Sequence, residues 1–153
     1  MWNKDRSLLL SICLVRALTA VIPILCVCAP WMVRWYDLTN LDKIGLVDGP
    51  VFVPLLVCLY AAAVCGEVCV IFLGKLLGSI RRGEVFIAPN CRRLRMISWC
   101  CLLAAIPFFA FGFWRFISFV IALAAGFFGL ILRVVKNVFE QAVALQEEND
   151  YTI

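Results

Sequence analysis

Two charges stand alone inside long apolar runs, and they are the residues best placed to do chemistry. Arg16 is the only charge between Arg6 and Arg34, and Glu67 is the only one between Asp48 and Lys75. If each run is a membrane helix, Arg16 lies roughly 15 Å along its helix from Arg6, and Glu67 roughly 12 Å before Lys75 on an oppositely directed helix. Both then fall at similar depth. A lone charge there costs about 2.5–3.5 kcal/mol on insertion scales, and a partner is the usual remedy. The expectation is an Arg16–Glu67 ion pair that fixes helix register. Two other readings stay open: a carboxylate that couples to protons or cations, and an Arg16 that snorkels to the interface.

Other chemistry is thinly supported. The chain has 153 residues with nine cysteines and no histidine. Eight of the cysteines (Cys13, Cys26, Cys28, Cys58, Cys65, Cys69, Cys100 and Cys101) lie in apolar runs, where cysteine acts as a small hydrophobe. Cys91 is the one outside them. Neither metal-ligand spacing nor a Gly-rich phosphate loop nor a nucleophile–base constellation can be read, so no enzyme activity, metal or cofactor is expected.

The elements that must hold these residues follow from composition. Hydrophobic residues make up 65% of the chain and charged residues 16%, against about 45–50% and about 25% in soluble domains. The excess falls in four runs, each near or above the roughly 18 residues that span hydrocarbon. Helix is the only open-ended way for such a run to satisfy its own backbone in lipid. The fold expected is all-α: one integral membrane bundle, residues 1–153, with spans near 8–31, 51–74, 96–114 and 116–135. Residues 75–95 form a basic loop and 136–153 a helical extension with an acidic tail. Lys4 and Arg6 before an apolar run resemble a leader peptide, but Arg16 interrupts the run and no small-x-small cleavage site follows cleanly. The first run is read as a retained span.

Orientation follows from Lys and Arg in short loops. Lys75, Arg81, Arg82, Arg92, Arg93 and Arg95 face one acid, Glu84, whereas Arg34 and Lys43 face Asp37, Asp42 and Asp48. The first loop is expected in the cytoplasm and the second outside, with both termini cytoplasmic. Trp31, Trp35, Tyr36 and Trp114 suit the outer interface.

Small residues recur four apart: Ala62 with Gly66, Ala122 with Gly126, and Ala125 with Gly129. This spacing lets helix backbones approach closely in lipid. Spans two and four are therefore expected to pack on each other or on a second copy in a homodimer. Pro23 and Pro107 remove backbone donors within spans one and three, freeing the carbonyls of Thr19 and Leu103. Pro54 falls in a first turn, where it costs little.

The central loop runs Gly78-Ser79-Ile80-Arg81-Arg82-Gly83-Glu84-Val85-Phe86-Ile87-Ala88-Pro89-Asn90-Cys91-Arg92-Arg93-Leu94-Arg95. Gly83 suits a helix stop and Pro89 the first turn of the next helix. Its arginines (Arg81, Arg82, Arg92, Arg93 and Arg95) can set topology and touch anionic lipid headgroups, or dock an acidic partner. Beyond Arg133, the positions Val135, Val138, Phe139, Ala142 and Leu145 recur at helical spacing. Glu147, Glu148 and Asp150 then form an acidic patch before a short extended end, placed to face the basic loop.

The ending Leu145-Gln146-Glu147-Glu148-Asn149-Asp150-Tyr151-Thr152-Ile153 resembles the L-K-x-E-N-D-L-T-V/I terminus of a bacterial membrane family catalogued as domain of unknown function 2975. The loop element Gly83-Glu84-Val85-Phe86 with Asn90-Cys91-Arg92-Arg93-Leu94-Arg95-Met96-Ile97 is similar to its x-x-x-F-x-x-x-x-x-x-x-L-x-x-I segment. The order of four spans matches too, so the likeness covers essentially the whole chain. Tyr151 stands where the family more often has leucine. The family's genes often neighbour one for a very small helix-turn-helix DNA-binding protein. The resemblance therefore implies a non-catalytic regulatory protein of the bacterial inner membrane whose cytoplasmic loop and tail bind that regulator. Direct nucleic-acid binding is not expected, because so short a juxtamembrane loop has no groove-reading element. The alternative is a small transporter or channel subunit using Glu67.

Overall fold

The computed structural model describes residues 4–39, 45–47 and 49–151, with the backbone alone at positions 4, 5, 147, 150 and 151. Four helices follow in order: α1 Lys4–Thr39, α2 Phe52–Arg81, α3 Ala88–Phe111 and α4 Ile117–Tyr151. Each is long and apolar enough to cross a membrane. The helices overrun the apolar runs at their ends. At 36 residues, α1 measures about 54 Å against about 30 Å of hydrocarbon. Most side chains on the outer faces are apolar and exposed, Val27 and Trp31 by about 80%. That is a surface for lipid rather than water.

The packing follows chain order. Val15 of α1 sits beside Gly74 and Ile22 beside Gly66 of α2. Cys58 of α2 shares a core with Phe111 of α3, and Leu76 shares one with Leu94 and Ile97. Ser98 of α3 donates to the carbonyl of Gly129 in α4 at 2.7 Å. Neighbouring helices are therefore antiparallel, with the start of α1, the end of α4 and the α2–α3 turn at one end. Among the described residues no other helix pair brings Cα atoms within 8 Å. The array is open, and α1 touches α2 alone.

This corrects the expected pairing of small residues. Ala62 and Gly66 border a groove shared with Ile22, Leu25 and Ala29 of α1, and among the described residues no Cα of α2 lies within 8 Å of one in α4. Ala122 is buried, and with Gly126 it borders a groove shared with Leu102, Ala105 and Phe109 of α3. Of the glycines spaced four from a small residue, Gly129 packs most tightly: a Cβ there would lie 2.9 Å from Leu102 Cγ. Spacing four apart marks a face fit for close packing but carries nothing about which helix will fill it. Short connections decide that by making sequential helices neighbours.

The ends of the array are tied by backbone bonds. Leu46 and Val47 donate to the Phe113 carbonyl at 2.8 and 3.1 Å, joining the α1–α2 connection to the α3–α4 turn. Gly83 ends α2 with φ of +81°, a conformation that glycine adopts without a Cβ penalty. Pro89 lies in the first turn of α3, where its missing N–H costs nothing.

α1 continues past residue 31, which places Pro30 as well as Pro23 inside it. Pro30 has no N–H for the carbonyl four residues back, that of Cys26. The Tyr60 hydroxyl of α2 donates to that carbonyl at 3.1 Å. A side chain of one helix thus satisfies a backbone acceptor that proline frees in its neighbour, as hydrocarbon requires. Tyr60→Phe is expected to destabilise the α1–α2 pair by about 0.6–1.7 kcal/mol, read as SDS-induced unfolding in mixed micelles. In a Pro30→Ala background, where the N–H returns, Tyr60→Phe should cost less than half of that. An equal cost in both backgrounds would contradict the assignment.

Candidate functional site

Arg16 and Glu67 do not meet. No ion pair joins them among the described residues, and the helix register gives the reason. Because Val15 lies against Gly74 and Ile22 against Gly66, Arg16 is level with the residue before Gly74, and Glu67 with the one before Ile22. That is about six residues, or about 9 Å, along the axis. Depth counted from the nearest flanking charges misplaced them, since α2 runs on through Arg81. Arg16 also sits one residue, about 100°, from the buried Val15 and is exposed on the outer face. Glu67 is half-buried. Its Oε2 is shut off from the surface and finds no hydrogen-bond partner among the described residues.

The densest polar arrangement lies at the α2–α3 turn. Ser79 and Asn90 are both 0% exposed. The Asn90 side-chain amide donates to the carbonyls of Glu84 (2.8 Å) and Val85 (2.9 Å). Arg93 Nη1 donates to Asn90 Oδ1 at 2.7 Å, to the Lys75 carbonyl at 3.2 Å, and to Ser79 Oγ. Arg82 Nη2 reaches the same Ser79 oxygen at 3.4 Å, and Arg82 pairs with Glu84 at 3.3 Å. The loop expected over 75–95 is therefore mostly helix, with only 82–87 connecting α2 to α3. Cys91, expected in a loop, is a buried α3 residue.

The five arginines divide by what they touch. Arg93 and Arg82 are structural, holding the turn closed. Arg95 pairs with Glu140 of α4 at 3.2 Å, and Lys136 pairs with the same carboxylate at 2.7 Å. Arg81 and Arg92 are exposed, and among the described residues no hydrogen bond or ion pair of theirs is found. The helical stripe beyond Arg133 also divides. Phe139 packs on the Leu76–Leu94–Ile97 core and lies 5.3 Å from the Phe86 ring, while Val138 and Leu145 stay exposed. α4 remains helical through Tyr151, and Thr152 and Ile153, where a short extended end was expected, lie outside the described residues. The side chains of Glu147 and Asp150 lie outside the described residues, and Glu148 is exposed.

Two polar residues here were not singled out from the sequence. Asn90 is a central residue of the turn, yet a single asparagine after proline reads as an ordinary helix start. Arg115 is only 8% exposed and donates to the Trp114 carbonyl at 2.9 Å. In the sequence it separates two uncharged apolar runs, and the neighbouring Trp114, expected at the interface, is half-buried and stacked on Phe111. No group of three or more metal-ligating side chains exists among the described residues.

No curated protein and no solved structure matches the chain. One family model does, over residues 39–153, which takes in α2, α3, α4 and the basic turn but leaves nearly all of α1 outside. The likeness is thus narrower than the whole chain, and Arg16 falls beyond it. With three of its four helices and its C-terminal segment matched, the chain belongs to the family described as protein of unknown function DUF2975.

Proposed function

We propose that this multi-pass membrane protein is a non-catalytic regulator of a bacterial inner membrane, with its termini and α2–α3 turn in the cytoplasm. There it would hold a small helix-turn-helix DNA-binding protein. The orientation rests on the excess of Lys and Arg at that end. The observation that carries the reading is the division of the arginines. Arg93 and Arg82 lock the turn, and Arg81 and Arg92 project from it. Beside them α4 extends as a helix carrying exposed Val138 and Leu145 and the acidic residues Glu147, Glu148 and Asp150. An amphipathic helix next to a rigid basic turn offers a partner both an apolar stripe and charges of two signs.

Affinity capture of the detergent-solubilised protein from its native cell tests this. Wild type should recover a small helix-turn-helix protein. A chain lacking residues 147–153, or one carrying Arg81→Gln and Arg92→Gln, should lose it. Recovery of no such protein, or its equal recovery with both variants, would sink the regulatory reading.

Glu67 favours a second reading, a small transporter or channel subunit. An Arg16 partner would argue against it by neutralising the carboxylate, and no ion pair joins the two among the described residues. An unpaired carboxyl within a membrane helix is a functional-site candidate. On this reading, proteoliposomes show a proton or cation flux that Glu67→Gln abolishes and Arg16→Gln leaves intact. Absence of flux with wild type, or flux unchanged by Glu67→Gln, would remove it.

A further inference from the structure

Three cations converge where the third and fourth apolar runs end. Arg95, Ser98 and Trp99 of α3 and Arg133 and Lys136 of α4 line a cavity of about 230 Å³. We propose that this cavity is a binding site for a phosphate group, presented by the headgroup of an anionic phospholipid.

Charge is the first support. Glu140 is the acid that pairs here, taken by both Arg95 and Lys136. Three cations against one carboxylate leave two positive charges in one cavity. Like charges held this close repel unless an anion joins them. Arg133 has no share in Glu140; its guanidinium lies 5.2 Å from the centre of the Trp99 ring. A ring face holds a cation in place without using the donors that a phosphate would take, and an arginine fork matches two phosphate oxygens at once.

Rigidity is the second support. The Ser98 hydroxyl is buried and committed to the Gly129 carbonyl, which fixes α3 against α4 at the cavity's inner edge. The Lys136 side chain is only 12% exposed, so its ammonium is placed rather than sweeping through solvent. A preorganised group of donors loses less freedom on binding.

Depth selects the source. No charge falls between Arg95 and Arg115 or between Arg115 and Arg133, so these cations mark the edge of the hydrocarbon. Headgroup phosphates lie at that level, basic pockets between membrane helices bind them, and tryptophan favours the same layer. The proposal is independent of both functional readings above.

Native mass spectrometry of the full chain in detergent, titrated with phosphatidylglycerol and separately with phosphatidylcholine, tests it. Wild type should prefer phosphatidylglycerol by about tenfold or more. Arg133→Gln with Lys136→Gln should abolish that preference. Arg6→Gln with Arg16→Gln, which removes as much charge from α1, should change it by less than about twofold. Arg133→Lys with Lys136→Arg keeps the charge and should retain most of it, which separates lost binding from lost folding. Competition with inorganic phosphate tells the sources apart: displacement extends the site to soluble phosphate, and no displacement restricts it to lipid. Undiminished preference in the Arg133/Lys136 glutamine variant, or an equal loss in the α1 variant, would overturn the proposal.

Discussion

A half-buried arginine closes the molecule at its charged end. Arg93 reaches from the first turns of α3 to the last turns of α2 and donates to Asn90, to Ser79 and to the Lys75 carbonyl. Asn90 in turn holds the carbonyls of the connecting segment. Its two buried members, Ser79 and Asn90, are both hydrogen-bonded, which is the condition under which a buried polar network specifies structure instead of weakening it. With the turn fixed, Leu94 and Ile97 are delivered to Leu76, and Arg95 points to Glu140 on α4. The exposed basic surface, the α3–α4 cavity and the seat of Phe139 all inherit their positions from this closure.

Elsewhere the same constraint works through single bonds. Membrane helices leave few unsatisfied groups, so each break in the backbone ladder needs a local remedy. Tyr60 supplies one at the carbonyl that Pro30 frees. Ser98 spends its hydroxyl on Gly129, where the absence of a side chain brings α3 and α4 together. Glu67 is the exception: an oxygen turned inward without a partner among the described residues.

The four helices were legible because hydrocarbon imposes a length and a polarity that composition reports directly. Gly83 and Pro89 were legible for a similar reason, each being tied to one backbone requirement. Lateral relationships were not. The Arg16–Glu67 pair failed because register depends on where Val15 and Ile22 seat against glycines of α2, which flanking charges do not encode. Of the small residues, Gly129 sits at a close approach to α3, while a Cβ on Gly66 would lie 4.0 Å from Ile22 of α1 and one on Gly126 would meet open space. Among five arginines of one loop, nothing in spacing separates Arg93, which is half-buried, from Arg92, which is exposed. Their positions at the end of α2 and on α3 decide which way each one points. Asn90 was invisible for the same reason, since its two acceptors belong to a turn that exists only once α2 and α3 are paired.

The central claim is that closure of this turn by Asn90 and Arg93 holds the charged end as one preformed scaffold. Hydrogen–deuterium exchange on the protein in nanodiscs, comparing wild type with Asn90→Ala, tests it most directly. Exchange should rise across residues 79–95 and, through the Arg95–Glu140 contact, around Glu140, while residues 117–130 of α4 keep their protection. Unchanged exchange over 79–95 would contradict the claim, and so would a uniform rise along all four helices, because either result would place the organising interaction elsewhere.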